Sequence, residues 1–140
     1  LPGANERLFV HYYAMLAWLR RGDVESAAVE ARRLAFRLER DGVNGGDADD
    51  RTLRATMRYL TGAVFEAAGD LEDAGVAYRN AERLARGQAI VPDTAARAAY
   101  APALATGMPS AGRGVTRDGA DGEVIVVLER GFVAHRVNDR

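Results

Sequence analysis

The side chains that could perform catalysis are few and lie far apart in this sequence. His11 falls in the first part of the chain and His135 near its end, and neither has the HxxxH or HxxE spacing with a third ligand. Zinc sites need several ligands at defined spacing. Ser26 follows Asp23 at a predicted helix start, where hydrogen bonding explains its hydroxyl better than nucleophilic attack does. We therefore predict no catalytic residue and no metal ligand, which indicates a non-enzymatic protein.

Two glycine-containing stretches have the composition of ligand loops but not the spacing. DGVNGGDADD at 41–50 would place Val43 and Gly45 at the third and fifth positions of a calcium loop, where oxygen ligands are needed. GRG at 112–114 lacks the following Lys and the preceding strand of a phosphate loop. We predict a polar connector at 41–50 and no cofactor.

The charge balance argues against nucleic acid as a partner. The 19 basic and 20 acidic residues give a net charge of −1, so no electrostatic attraction draws the chain to a polyanion. Every basic residue is Arg, which we attribute to a GC-rich genome. Cysteine is absent, and no run of about 18 apolar residues could span a bilayer. The predicted partner is a protein or peptide, and no transmembrane segment is predicted.

A repeated hexapeptide organises the first part of the chain. GDVESA at 22–27 returns as GDLEDA at 69–74. Apolar residues recur at spacings of three and four on both sides of each copy, which predicts helices over 6–21 and about 24–40, and two more between 50 and 86. Gly can end a helix in the left-handed region, and Asp can cap the next one. Each copy is therefore predicted to be the bend of an antiparallel helical hairpin.

Helix caps and one further helix complete this prediction. Asp49 or Asp50 is expected to cap the third helix and Asp70 the fourth. An Ala-rich stretch at 93–104, with Asp93 at its start, predicts an extra helix that covers one end of the hairpins. The predicted helical domain spans 6–105.

The second copy carries a family resemblance. Gly62, Phe65, Gly69, Asp70, Ala74, Tyr78 and Ala81 stand as GxxFxxxGDLEDAxxxYxxA, which resembles the tetratricopeptide repeat (TPR). In the first copy Trp18, Gly22, Asp23 and Ala27 fit the pattern, whereas Met15, Ala31 and Leu34 depart from it. The resemblance covers roughly 6–86 and implies two TPR-like hairpins. Stable arrays of this kind usually need about three units or a capping element.

The end of the chain has a different composition. Residues 106–122 are rich in Gly and predict a flexible linker. EVIVVLERGFVAHRV follows, and its β-branched residues with Gly131 between two apolar runs predict a β-hairpin segment at 123–137. Because residues 124–128 are apolar on both faces, this ribbon needs cover. It could dock on the helices, join strands of another chain, or belong to a larger sheet in a chain that continues past Arg140; we favour docking or continuation.

A second, shorter resemblance rests on the same segment. Gly122, Val124, Val126, Glu129 and Gly131 are similar to a strand found after the TPR region in a family of poorly characterised bacterial envelope lipoproteins. The lipid-bearing Cys of that family is missing from this sequence. The resemblance implies a periplasmic or outer-membrane-anchored location in preference to the cytoplasm.

The TPR resemblance also implies a binding surface. The first helix of each pair lines the inner surface of a TPR array, and Tyr and Arg are good contact residues there. The Asn and Lys set that clamps a terminal carboxylate is not found at these positions. An alternative is that the aromatic residues pack against the third helix or the ribbon. The predicted partner-binding residues are Phe9, Tyr12, Leu16, Arg20, Tyr59 and Glu66.

Three functional hypotheses follow. The first is a non-catalytic adaptor or scaffold that binds a peptide or protein segment in its helical groove. The second is an assembly component that associates with copies of itself through the C-terminal ribbon, by strand addition. The third is an enzyme or regulator whose catalytic part lies outside these residues.

Overall fold

The described part of the chain is mainly helical. The computed structural model describes residues 4–41, 48–85 and 125–129 and four single residues, Thr94, Arg97, Ala99 and Thr106. These residues contain four helices and no strand: α1 (Ala4–Arg20), α2 (Val24–Arg40), α3 (Ala48–Ala68) and α4 (Leu71–Ala85). α1 packs on α2, α2 on α3 and α3 on α4. The prediction of a mainly helical fold with two hairpins is confirmed at this level.

The first hairpin turns through a glycine motif. Gly22 has φ 75°, in the left-handed region, and its N–H donates to the carbonyl oxygen of Leu19 at 2.9 Å. The N–H of Asp23 donates to the carbonyl oxygen of Trp18 at 3.1 Å. These two bonds form a Schellman motif, which satisfies carbonyl groups that the end of α1 leaves without intrahelical partners.

The second hairpin repeats this motif bond for bond. Gly69 has φ 83°, and its N–H donates to the carbonyl oxygen of Glu66 at 3.1 Å, while the N–H of Asp70 donates to that of Phe65 at 2.8 Å. The repeated Gly-Asp pair in the sequence is therefore one backbone structure used twice.

The two Asp residues after these glycines have different side-chain partners. The Asp23 carboxylate accepts the backbone N–H of Ser26 at 2.9 Å and the Ser26 hydroxyl at 2.8 Å. The backbone hydrogen bond from Ser26 is the main reason that the pKa of Asp23 is lowered. In the second copy Asp73 replaces this serine, and the Asp70 carboxylate forms an ion pair with Arg32 of α2. The second Asp therefore ties the two hairpins together.

One predicted cap was wrong. α3 begins at Ala48, so Asp49 and Asp50 lie inside its first turn. Carboxylates are favoured there because the N-terminus of a helix carries partial positive charge. Asp50 also accepts a hydrogen bond from Arg54, one turn further on, at 2.8 Å.

The core lies between the helices and depends on small residues in α2. Ala27, Ala28 and Ala31 are almost fully buried and let the neighbouring backbones come close. Large side chains fill the remaining volume, and each contributes roughly 1.5–3 kcal/mol by leaving water. The largest of the fully buried residues are Tyr78, Leu8, Met15, Leu34, Leu38, Met57 and Thr61.

The predicted ribbon is not supported. Ile125–Glu129 form neither helix nor strand. A strand requires a pairing partner. This segment instead contacts the helices through a side chain, as described below. The rest of 123–137 lies outside the described residues. So do most of the predicted linker and extra helix, although Thr94 and Arg97 have helical backbone and are buried.

Gly62 is required by the close approach of α4 to α3. A Cβ built on Gly62 would lie 2.7 Å from Cε1 and 2.8 Å from Cδ1 of Tyr78. Tyr78 is fully buried, so its ring has no free space to move into. The Gly and Tyr of the TPR-like pattern are thus two sides of one contact.

We expect Gly62→Ala to lower the free energy of unfolding by roughly 1–2 kcal/mol, because overpacking outweighs the gain in helix propensity. Urea unfolding followed by circular dichroism measures this. Ala67→Gly, at an exposed position in the last turn of the same helix, reports propensity alone and should cost less than about 1 kcal/mol. A stabilised Gly62→Ala variant would contradict the contact.

Candidate functional site

Three aromatic residues form a cluster on one side of α1. Phe9 and Tyr13 stack with ring centroids 5.7 Å apart, and Tyr12 meets both rings edge-on, at 6.2 Å and 5.1 Å. Their spacing of three and four residues places them on adjacent turns of the helix. Each such pair contributes about 0.5–1.5 kcal/mol beyond its buried area. We call Phe9, Tyr12 and Tyr13 the aromatic cluster.

The aromatic cluster holds a carboxylate from the far end of the chain. The Tyr12 hydroxyl donates to Oε1 of Glu129 at 2.8 Å, and the Tyr13 hydroxyl donates to Oε2 of the same side chain at 3.2 Å. Both oxygens of one carboxylate are therefore bound by two neighbouring tyrosines. Tyr12 is only 4% exposed, whereas Tyr13 lies at the surface.

The segment that carries Glu129 turns one side toward the protein. Exposure alternates along it: 40% at Ile125, 84% at Val126, 38% at Val127 and 71% at Leu128. Alternation with a period of two is the pattern of a chain with one covered side. Ile125 and Val127 lie on the less exposed side, and Val126 and Leu128 point away from it. Glu129 is itself exposed and contacts the tyrosines through its carboxylate.

The tyrosines are suited to donate hydrogen bonds. Burial raises the pKa of Tyr12, and the hydrogen bond and negative charge of Glu129 raise it further. The pKa of Tyr13 is raised by the same influences, with burial again first. Both hydroxyls keep their protons at neutral pH, so they bind an acid without carrying a charge themselves.

A second cluster lies at the other end of the predicted surface. The Tyr78 hydroxyl donates to Oε2 of Glu66 at 2.7 Å, and Nη1 of Arg97 donates to the same oxygen at 2.9 Å. Arg97 also lies over the rings of Tyr59 and Tyr78, 5.7 Å from each centroid. Charge-assisted hydrogen bonds and cation–π contacts thus join α3 and α4 to Arg97, which follows the second hairpin in the chain.

A third set of polar contacts joins α1 to α2. Nδ1 of His11 lies 2.8 Å from Oε2 of Glu30, and Nη1 of Arg33 donates to Oε1 of Glu30 at 2.6 Å. These bonds account for a nearly buried Glu30 and give His11 a partner within the fold. His135 lies outside the described residues.

The predicted partner-binding residues divide into covered and accessible ones. Tyr12 and Tyr59 are buried, and Glu66 is satisfied by Tyr78 and Arg97. Phe9 and Leu16 are partly buried against the core, and Arg20 is exposed. The structure brings Phe9 and Tyr12 together at one end and Tyr59 and Glu66 together at the other. A role for any of the six in binding a partner stays a prediction.

Sequence reasoning missed the residues that complete each cluster. Tyr13 was not among the residues predicted to bind a partner, and Glu129 was considered only as part of a strand motif. Nothing in the local pattern around Arg97 indicates its partners. A signal did exist for Tyr13, because it follows Phe9 by one helical turn.

None of the helices in the described part of the chain is long and apolar enough to cross a membrane. Within the same residues, no group of three or more His, Asp or Glu side chains is arranged to hold a metal ion. Comparison with protein-family models, with curated proteins and with solved structures finds no match to this chain.

The buried tyrosines predict a loss of stability in alkali. Burial, with help from Glu66, raises the pKa of Tyr78 well above its ordinary value, although Arg97 opposes the shift. Below about pH 10 the folded and unfolded states both keep this proton; above it only the folded state does, so stability falls as pH rises. Each such tyrosine contributes about 1.4 kcal/mol per pH unit.

Above about pH 10 the free energy of unfolding of the wild type should fall with pH. We expect Tyr78→Phe to make this fall less steep, by an amount close to the release of one proton. Urea unfolding at a series of pH values measures it. Met57→Leu, a buried change without a titrating group, should leave the slope as it is. A Tyr78→Phe slope equal to that of the wild type would contradict this assignment.

Proposed function

We propose that this protein is a non-catalytic protein-interaction module of TPR-like type, and that its aromatic cluster binds an acidic residue in a peptide segment. The observation that carries the proposal is the capture of both carboxylate oxygens of Glu129 by Tyr12 and Tyr13. In this structure the bound segment is the protein's own residues 125–129. A partner segment of similar chemistry would take its place.

The chemistry of the cluster suits reversible binding of a peptide. Two uncharged hydroxyls bind a carboxylate less strongly than an Arg would, and the rings of Phe9, Tyr12 and Tyr13 add contact area at small entropic cost. The net charge of −1 provides no long-range attraction for acids in general. Recognition therefore depends on the apolar residues that accompany the acid.

Two structural features support the TPR-like part of the proposal. The Schellman motifs at Gly22 and Gly69 are the same in both hairpins, and the contact between Gly62 and Tyr78 uses two residues of the pattern. The association with a bacterial envelope, in the periplasm or at the outer membrane, rests on sequence resemblance alone and is part of the proposal.

Internal binding should weaken binding of an external segment. A segment of the same chain competes intramolecularly, at an effective concentration of roughly millimolar. An external peptide must displace it, so its apparent affinity is reduced by the fraction of molecules in which the cluster is occupied. Weakening the internal contact should therefore expose the site.

The test is binding of a fluorescent peptide with the sequence of residues 123–131 to the full chain, followed by anisotropy. We expect Glu129→Gln in the protein to tighten binding of this peptide by about tenfold, equivalent to about 1.4 kcal/mol. The reason is that the protein's own segment then loses its carboxylate and competes less well.

Two controls make this test specific. A peptide with Gln at the position of Glu129 should bind more weakly to every variant that keeps Tyr12 and Tyr13. Adding Tyr12→Phe and Tyr13→Phe to the Glu129→Gln protein should abolish the gain. Equal affinity of the Glu and Gln peptides would refute acid recognition by the aromatic cluster.

Self-association through the C-terminal segment is the second candidate. It is favoured by the exposure of Val126 and Leu128, two apolar side chains on the uncovered side of the segment. If the peptide fails to bind while the chain dimerises in sedimentation experiments, and Leu128→Lys abolishes the dimer, the assembly hypothesis replaces the adaptor.

A further inference from the structure

A cavity opens on a different face of the protein, between α2 and α4, with α3 as its floor. Its volume is about 250 Å³, which is the size of a few side chains. Arg32, Phe36 and Glu39 of α2 line one side, and Asp73 and Asn80 of α4 line the other. The aromatic cluster of α1 has no residue in this cavity.

Arg58 lies in the floor of the cavity. It is 5% exposed, and none of the described residues gives it a hydrogen bond or an ion pair. Burial lowers its pKa; Glu39 acts in the opposite direction, and the nearby charges of Arg54 and Arg83 add to the lowering. A guanidinium this far below the surface without a bonded carboxylate is costly, because the opening of the cavity restores only part of the hydration that it has lost.

The other buried arginines of the described residues show what Arg58 lacks. Arg54 bonds to the Asp50 carboxylate at 2.8 Å, and Arg97 bonds to the Glu66 carboxylate at 2.9 Å. Their burial is similar to that of Arg58. Glu39 acts on Arg58 through its charge alone, without a hydrogen bond. Since a guanidinium can fork onto a carboxylate, what Arg58 lacks among the described residues is a bonded acid.

The walls of the cavity indicate what accompanies that acid. Phe65 lies in the floor with Arg58, and Phe36 stands on the wall with 65% of its surface exposed. The Phe36 ring therefore offers apolar contact area to a group that enters the cavity. Glu39 and Asp73 are exposed at the rim. They repel polyanions and attract a cation.

We propose that this cavity is a second peptide-binding site, which takes an acidic side chain of a partner protein onto Arg58. An aromatic or aliphatic neighbour of that acid packs on Phe36, and a basic neighbour faces Glu39 and Asp73. The partner segment is thus an apolar, an acidic and a basic residue in close succession. This site is separate from the aromatic cluster and does not depend on the function proposed for it.

The test uses a fluorescein-labelled tripeptide of phenylalanine, glutamate and lysine, blocked at both ends, with glutamine replacing glutamate in its matched control. Anisotropy is measured with the full chain, and thermal unfolding of each variant is recorded. We expect saturable binding of the Glu peptide and at least tenfold weaker binding of the Gln peptide, because only a carboxylate can pair with the guanidinium.

Arg58→Met should weaken binding of the Glu peptide at least tenfold and raise the melting temperature. The Met side chain keeps the apolar stem in place while it removes an uncompensated buried charge. Arg79→Met, which removes an exposed charge from α4, should change neither quantity. Tyr12→Phe with Tyr13→Phe should also leave the affinity unchanged, since those residues belong to the other site.

Several results would overturn the proposal. Absence of saturable binding, equal affinity for the Glu and Gln peptides, or an unchanged affinity in Arg58→Met would each do so. A lower melting temperature in Arg58→Met would show that the guanidinium stabilises the fold. Loss of peptide binding in the Tyr12→Phe, Tyr13→Phe variant would assign the signal to the aromatic cluster. Self-association that Arg58→Met abolishes would make the occupant a second copy of this chain.

Discussion

The contact between the Tyr78 ring and the bare backbone of Gly62 sets the geometry of the second hairpin. Because residue 62 has no side chain, α4 comes close enough for the ring to lie fully buried against α3. That position carries the Tyr78 hydroxyl to Glu66, and the same carboxylate then receives Arg97 from beyond the hairpins. Helix packing thus creates a polar site at one end of the array, and a residue from outside the two repeats completes it.

At the other end of the helices a later residue again completes a polar contact, but there the later residue is the acid. Arg97 brings a cation to an acid of α3, whereas Glu129 brings an acid to the tyrosines of α1. Two hairpins cover less of each other's surface than the units of a longer array would. At both ends a later part of the chain contacts aromatic rings of the first helix of a hairpin, which is α1 at one end and α3 at the other. Arg58 is different: it is just as buried, but the described residues leave its guanidinium to the cavity. We therefore regard the two ends as internally occupied surfaces and the cavity as an open one.

Much of the helical fold could be predicted from local sequence. The bounds of α2 (Val24–Arg40) follow from Gly22 and Asp23 in front of it, because ending and capping a helix are local events. The start of α3 was less predictable, since Asp50 can stabilise a first turn as well as a cap. A strand at 125–129 was predicted from composition, but strands need a partner that composition does not specify. The links from Tyr12 to Glu129 and from Glu66 to Arg97 join residues distant in sequence, so no periodicity could indicate them. Tyr12 and Glu66 were predicted as partner-binding residues of the first helices, and their contacts within the chain were not foreseen.

Paramagnetic relaxation measured by NMR tests most directly whether the protein's own segment occupies the aromatic cluster. The chain has no natural Cys, so a nitroxide attached through Leu128→Cys, at an exposed position, marks this segment alone. We expect strong broadening of the α1 amide signals around Tyr12 and Tyr13 and weak broadening around Val76 on α4. Dilution of the labelled protein with unlabelled protein of natural isotope content should leave the broadening unchanged, because the contact lies within one chain. Equal, weak broadening throughout the helices would contradict it, and so would broadening that disappears on dilution.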